Sequence, residues 1–184
     1  MKKSLYIVGA IVIAVLIYGW ATYNSLVSAN VGVDNQWAQV ETQYQRRLDL
    51  IPNLVESVKG IFTQEQTIFT ALADARARYA GATTVDAKAK AAGEVETSLG
   101  RLLAVMENYP QLKSSENVST LMSQLEGTEN RVSVERKRYN DMIGSYNLLT
   151  MRFPSKVIAG VFGFDSRAYF EAAAGAENAP KVSF

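Results

Sequence analysis

The chain has 184 residues, 48% of them hydrophobic, with 19 Lys plus Arg against 18 Asp plus Glu and neither cysteine nor histidine. That length suits one domain plus extras. The missing residue types exclude disulfides, thiol nucleophiles, zinc fingers and every Cys- or His-based catalytic dyad. A net charge of +1 argues against a nucleic-acid binder working through bulk charge.

In chain order, the N-terminus carries the strongest signal. Lys2 and Lys3 precede a stretch with no charge until Asp34. Its dense apolar part, 5–21, has about 17 residues, the short end of what a spanning helix needs. Tyr6, Tyr18, Trp20 and Tyr23 lie near its two ends, where interfacial aromatics belong. The rival is a cleaved signal peptide, with Val27-Ser28-Ala29 as a small-residue cleavage site. The expectation is an uncleaved single-pass anchor over 1–22, contacting lipid through 5–21. The leading lysines place the N-terminus in the cytoplasm and the bulk outside it, although Arg46 and Arg47 on the far side weaken that orientation.

Beyond the anchor, Trp37, Val40, Tyr44, Leu48, Ile51, Val55, Val58, Phe62, Phe69, Leu72 and Tyr79 recur at helical steps. The stripe keeps phase through Pro52 and Gly60. It predicts one helix from about residue 24 to 80, bent at Pro52, where a backbone donor is lost. A break that happens to preserve phase is the alternative. A second helix begins near Thr84 and carries Ala92, Val95, Leu99, Leu102 and Met106 on one face, up to a break at Pro110. Ser114 or Ser115 can cap a third, from about Glu116 to Arg152. In it Val118, Leu125, Val132, Tyr139, Tyr146 and Phe153 fall seven apart, the repeat of coiled-coil-like packing. After Pro154 a short apolar segment, 157–164, reads as a brief helix or turn folded back on the bundle, with membrane-surface contact as the sharper alternative. Residues 171–184 read as a flexible tail.

The fold class expected is all-α: a transmembrane helix, then an antiparallel bundle of three to four long helices over 23–170. Within it, Arg46, Asp49, Asn53 and Glu56 form a polar line beside the apolar stripe around Pro52. A solvated face with weak ion pairs explains them. A polar layer that fixes helix register is the sharper reading, since a carbonyl freed by proline inside a bundle must find a donor. Arg47 faces nearer the apolar side and needs an acid if buried, with Glu107, Glu129 and Glu135 available. Glu129 and Arg136 sit seven apart in the third helix's otherwise apolar seam, either setting register or simply flanking the core. Asn140 and Asn147 each follow a core tyrosine and turn to the next face, toward a helix neighbour or a partner. Bundle metal sites want Glu-x-x-His, which a histidine-free chain lacks, and no phosphate loop is present. No enzyme, cofactor or metal is expected. Glu56, Glu107 and Glu129 converging on a cation would reverse that.

Taken together, "YNSLV", "RRLDLIPNLVESVKG", "LGRLLAVMENYPQLKSSENV", "LEGTENRVSVERKRYNDMIGSYN" and "FPSKVIAGVFGF" resemble the LemA family of bacterial membrane proteins, from about Tyr23 to Phe170. The resemblance implies one N-terminal span and an all-helical antiparallel bundle. It implies no catalytic residues, because the family has no settled activity. Lipoprotein members carry a modified cysteine, a route closed to this chain. "DLIPNLV" recurs in the family, which makes Pro52 a designed bend.

The function expected is a non-enzymatic, membrane-anchored scaffold that self-associates at the bacterial inner membrane or envelope. A first helix of about 57 residues would be about 85 Å long, more than the second and third helices can cover. The uncovered stripe would invite further copies of the chain, with contacts at Trp37, Tyr44 or 31–33. The alternative is a monomeric adaptor or regulator of another membrane protein, such as a protease or envelope-stress component. It predicts a well-covered first helix and an exposed patch near Asn140 and Asn147.

Overall fold

The structure, a computed structural model, describes residues 2–61, 66–113 and 115–170. The expectations for Phe62, Ser114 and the tail 171–184 lie outside these residues. The described chain is all helical: α1 Lys2–Lys59, α2 Gln66–Gly81, α3 Val85–Met106, α4 Pro110–Lys113, α5 Glu116–Met151 and α6 Ser155–Phe162. α1 passes through Pro52 without ending. Its N-terminal part is long and apolar enough to cross a membrane, and none of that stretch is buried against protein.

The helix expected to reach residue 80 ends instead at Lys59. Gly60, a poor helix former, follows it, and the Ile61 amide closes a turn on the Val58 carbonyl at 3.0 Å. α2 then returns along α1, which brings the Tyr79 ring to 5.6 Å from that of Tyr44. The apolar period survives the reversal because both helices bury one face in the same core. Thr84 starts α3 as expected, its hydroxyl accepting from the Ala87 amide at 3.2 Å.

The chain forms two compact units, one of residues 1–40 with 135–169 and one of 41–134 with Phe170. In the second, the core is built from Leu48, Ile51, Leu54 and Val58 of α1, Leu72 of α2, Leu99 and Leu102 of α3, Leu112, and Val118 and Leu125 of α5. Burying each Leu or Val side chain contributes about 1.5–3 kcal/mol. Leu54 is fully buried, whereas Val55, the residue expected on the stripe, is half-buried. In the first unit Leu26 and Val33 of α1 and Tyr139, Ile143 and Tyr146 of α5 are buried. The Trp37 and Tyr139 rings meet tilted, their centres 5.3 Å apart, and a Cβ placed at Gly32 would lie 3.6 Å from Met142 Cε.

Two expectations fail here. The stripe of α1 is covered by its own chain: Val33, Val40 and Tyr44 are buried at 0%, 0% and 3% exposure. α2 is an extra element that the single long helix had absorbed, and its Tyr79 ring packs 5.6 Å from that of Tyr44. The seven-residue repeat of α5 is buried from Val118 through Tyr146 but fails at Phe153, which is 83% exposed. α5 has ended by then, at Met151.

Candidate functional site

The polar line around Pro52 divides by face. Arg46, Asp49, Asn53 and Glu56 are exposed and Pro52 is half-buried. Asp49 accepts from Gln45 at 3.0 Å, and Glu56 pairs with Lys59 at 3.6 Å. These are the weak local contacts of a solvated helix face. Arg46 also lines an open groove with Ser119, Ser123, Gln124 and Arg131.

Arg47, one position on, is buried. A turn of α1 carries it inward between Tyr44 and Leu48, so its charge needs compensation. Its Nη1 sits against the Glu129 carboxylate of α5 and 3.7 Å from Glu96 Oε1 of α3. Glu96 also accepts a hydrogen bond from the Tyr44 hydroxyl at 3.1 Å. Its stem is half-buried on α3, between Val95 and Leu99 of the buried face. One α1 arginine thus ties three helices together through two acids. Glu129 was expected as a partner, but Glu96 was missed. Its signal was its place one residue from Val95 on an otherwise apolar α3 face. Near this cluster Lys88 pairs with Glu41. The Tyr79 hydroxyl is buried with no hydrogen-bond partner among the described residues. Burial, reinforced by the Glu41 charge, raises its pKa well above the usual tyrosine value.

The other expected acids lie elsewhere. Glu107 is exposed at the C-terminal end of α3. Glu135 belongs to the first unit, where it accepts from Gln36 Nε2 at 2.6 Å and pairs with Arg138 at 2.7 Å. Arg136 and Asn140 are half-buried. Glu56, Glu107 and Glu129 do not converge, and no cluster of three acids that could hold a metal ion occurs among the described residues.

Also in the first unit, Asn147 is buried and makes a two-way clamp. Its Nδ2 donates to the Arg167 carbonyl and its Oδ1 accepts from the Arg167 amide, both at 2.8 Å. A side-chain amide matches a backbone peptide in this way, satisfying both groups of an irregular segment. The Arg167 guanidinium pairs with Asp34 of α1 and lies 5.8 Å from the Tyr146 ring centre. The hydrogen bond to Asp34 is the main cause raising the Arg167 pKa, against the opposing effect of burial. Burial is the main cause raising that of Tyr146, with Arg167 opposing it. Asn147 therefore serves this chain's own return segment, not the exposed patch expected of it.

A sequence profile of the LemA family matches residues 36–184. The chain belongs to the LemA family. The match begins beyond the apolar segment of α1, so it covers the bundle and not that segment. LemA-family relatives include MamQ 1 and MamQ 2, magnetosome proteins of Paramagnetospirillum magneticum, each 26% identical in an alignment 175 residues long that covers 81% of this chain and 64% of the relative. The magnetosome protein MamQ of Magnetospirillum gryphiswaldense is 26% identical in an alignment 174 residues long that covers 80% of this chain and 64% of the relative. The chain thus spans a little under two thirds of the length of these relatives. In this LemA-family chain, Arg47 ties α1 to α3 and α5, and Asn147 ties α5 to the segment after α6.

Proposed function

We propose that this chain is a non-catalytic, membrane-anchored scaffold of the bacterial inner membrane, with its bulk on the extracytoplasmic side, that associates with further copies through its span. The observation that carries this is a contrast within α1. From Leu5 to Ile17 its apolar side chains are more than half exposed, while Leu26, Val33 and Val40 are closed over completely. The bundle stripe, first expected to recruit further copies, is satisfied within one chain. The bare surface is the span, where Gly9 has no atom within 4 Å of the place a Cβ would occupy. Small residues there, Gly9, Ala10 and Ala14, permit close helix approach. The non-catalytic reading is supported by the use already made of Arg47, Glu96, Glu129 and Asn147 in packing.

A second reading is favoured by the same closed bundle: a monomeric adaptor or regulator of another membrane protein. Light scattering coupled to gel filtration, on the full-length protein in mild detergent, separates the two. A discrete assembly that Gly9→Ile dissociates supports the scaffold. A monomer before and after that substitution supports the adaptor.

A further inference from the structure

α6 and the exit of the span from the membrane occupy the same place in the first unit. A Cβ at Gly19 would lie 3.7 Å from Ile158 Cδ1 of α6. The Tyr23 ring is 4.8 Å from Phe162 and 5.8 Å from Phe164. α6 therefore lies beside α1 between Gly19 and Tyr23.

The depth of that contact follows from the length of the span. Residues 5–21 rise about 25 Å as a helix, whereas a bilayer's hydrocarbon core is about 30 Å thick. Lys2 and Lys3 bar extension at the N-terminal end. The missing rise, about three residues, comes from the other end, down to about residue 24. The Gly19–Tyr23 level, and α6 with it, then falls inside the leaflet boundary.

The outward side of α6 suits that position. Ser155 and Ala159 are buried against the protein. Phe153, Val157, Val161 and Phe162 are exposed at 83%, 56%, 71% and 57%. A contiguous apolar face of this kind is uncommon on a surface that meets only water. Along the chain, Arg152 and Lys156, both exposed, are the charges at this face, and the flanking acids Asp141 and Asp165 lie outside it. An apolar face flanked by basic side chains is the pattern of a helix lying in the headgroup boundary.

We propose that α6, with Phe153 before it, is a second membrane element. It is embedded in the headgroup–acyl boundary of the leaflet through which the span emerges, and its apolar face is covered by lipid. The proposal rests on the reading of 5–21 as a span.

The chain's lack of cysteine makes site-directed spin labelling direct. Val157→Cys and Val161→Cys are labelled separately in the full-length protein, one chain per nanodisc of phosphatidylethanolamine and phosphatidylglycerol. Val12→Cys serves as the lipid benchmark and Val134→Cys, exposed on α5, as the water benchmark. Collisions with oxygen, which partitions into lipid, are compared with collisions with a water-soluble nickel complex. The expected result is an oxygen-to-nickel ratio at 157 and 161 several-fold above that at 134 and approaching that at 12. If 157 and 161 follow 134 while 12 remains in lipid, α6 faces water and the proposal is overturned. If 12 also follows 134, the span reading fails and takes this one with it. Discs loaded with two chains, only one of them labelled, give the remaining outcome: oxygen collisions at 161 that collapse while those at 12 persist would put a second copy on this face and overturn lipid as its occupant.

Discussion

Arg47 of α1 lies against the Glu129 carboxylate of α5, and Glu96 of α3 places its Oε1 3.7 Å from the same guanidinium. The burial is asymmetric. The arginine side chain is 9% exposed, whereas those of Glu96 and Glu129 are 27% and 45% exposed. The acids have water to fall back on and the cation does not.

Removing the acids is therefore worse than removing the cation. Glu96→Gln with Glu129→Gln leaves a buried charge uncompensated and destabilises the fold by about 3 kcal/mol. Arg47→Met leaves two hydratable acids and an apolar side chain of similar reach, costing less than about 1.5 kcal/mol. Urea unfolding in mild detergent, followed by ellipticity, checks the order. Equal losses would show that the cluster is not organised around a buried cation.

Tyr79 gives a pH dependence with a defined sign. Its folded pKa is raised by burial, then by Glu41. Below the ordinary tyrosine value, near 10, both states hold the proton and stability is unaffected. Above it the unfolded chain loses the proton while the folded chain keeps it, so stability falls by about 1.4 kcal/mol per pH unit until the folded pKa is reached. Tyr79→Phe keeps the ring packing and removes a hydroxyl that has no described partner. It is expected to be within about 1 kcal/mol of wild type at pH 8. Above pH 10 it becomes the more stable protein, by a margin that grows with pH. Parallel slopes for the two proteins would contradict this.

Asn147 tests the clamp on the return segment. Asn147→Ala leaves the Arg167 amide and carbonyl without their partner and costs about 1–3 kcal/mol. Asn147→Asp keeps an acceptor for the amide, loses the donor to the carbonyl and buries a charge, so it does not rescue. Hydrogen exchange at the Arg167 amide reads the effect locally and accelerates in both variants. Unchanged exchange in Asn147→Ala would mean that other contacts hold the segment.

Leu54 and Val55 test the phase of α1. Leu54→Ala removes a fully buried side chain and costs about 2–5 kcal/mol. Val55→Ala removes a half-buried one and costs under about 1.5 kcal/mol. Thermal unfolding distinguishes these values, and the reverse order would move the buried face of α1 by one residue.

Gly163 ends α6 with a positive φ of 73° and positions the Phe164 amide on the Ala159 carbonyl at 2.9 Å. Gly163→Ala strains that left-handed turn by about 1 kcal/mol. Faster hydrogen exchange at the Phe164 amide would record the loosened end, and no change would show that the turn is held from elsewhere.

The sequence by itself determined the helical class, the bare apolar segment, the start of α3, the break before α5 and the buried heptad from Val118 to Tyr146. Each of these depends on local steps of the chain: a period of about 3.6, a capping Thr84, a Pro110 that cannot continue a helix. Arg47 was readable as a buried charge seeking an acid, because its place on the helix wheel is also a local property. Only the tertiary structure decided which acids answer it, where the chain turns back near Gly60, and what becomes of Phe153 and Asn147. Phase alone cannot distinguish a helix that continues from one that reverses and buries the same face. Nor can a helix wheel say whether an exposed apolar face, such as that of Val157 and Val161, lies beside the end of the apolar segment of α1. Those are matters of which segments meet in space, and the distances that settle them join residues far apart in the chain: 47 with 96 and 129, 147 with 167, and 19 with 158.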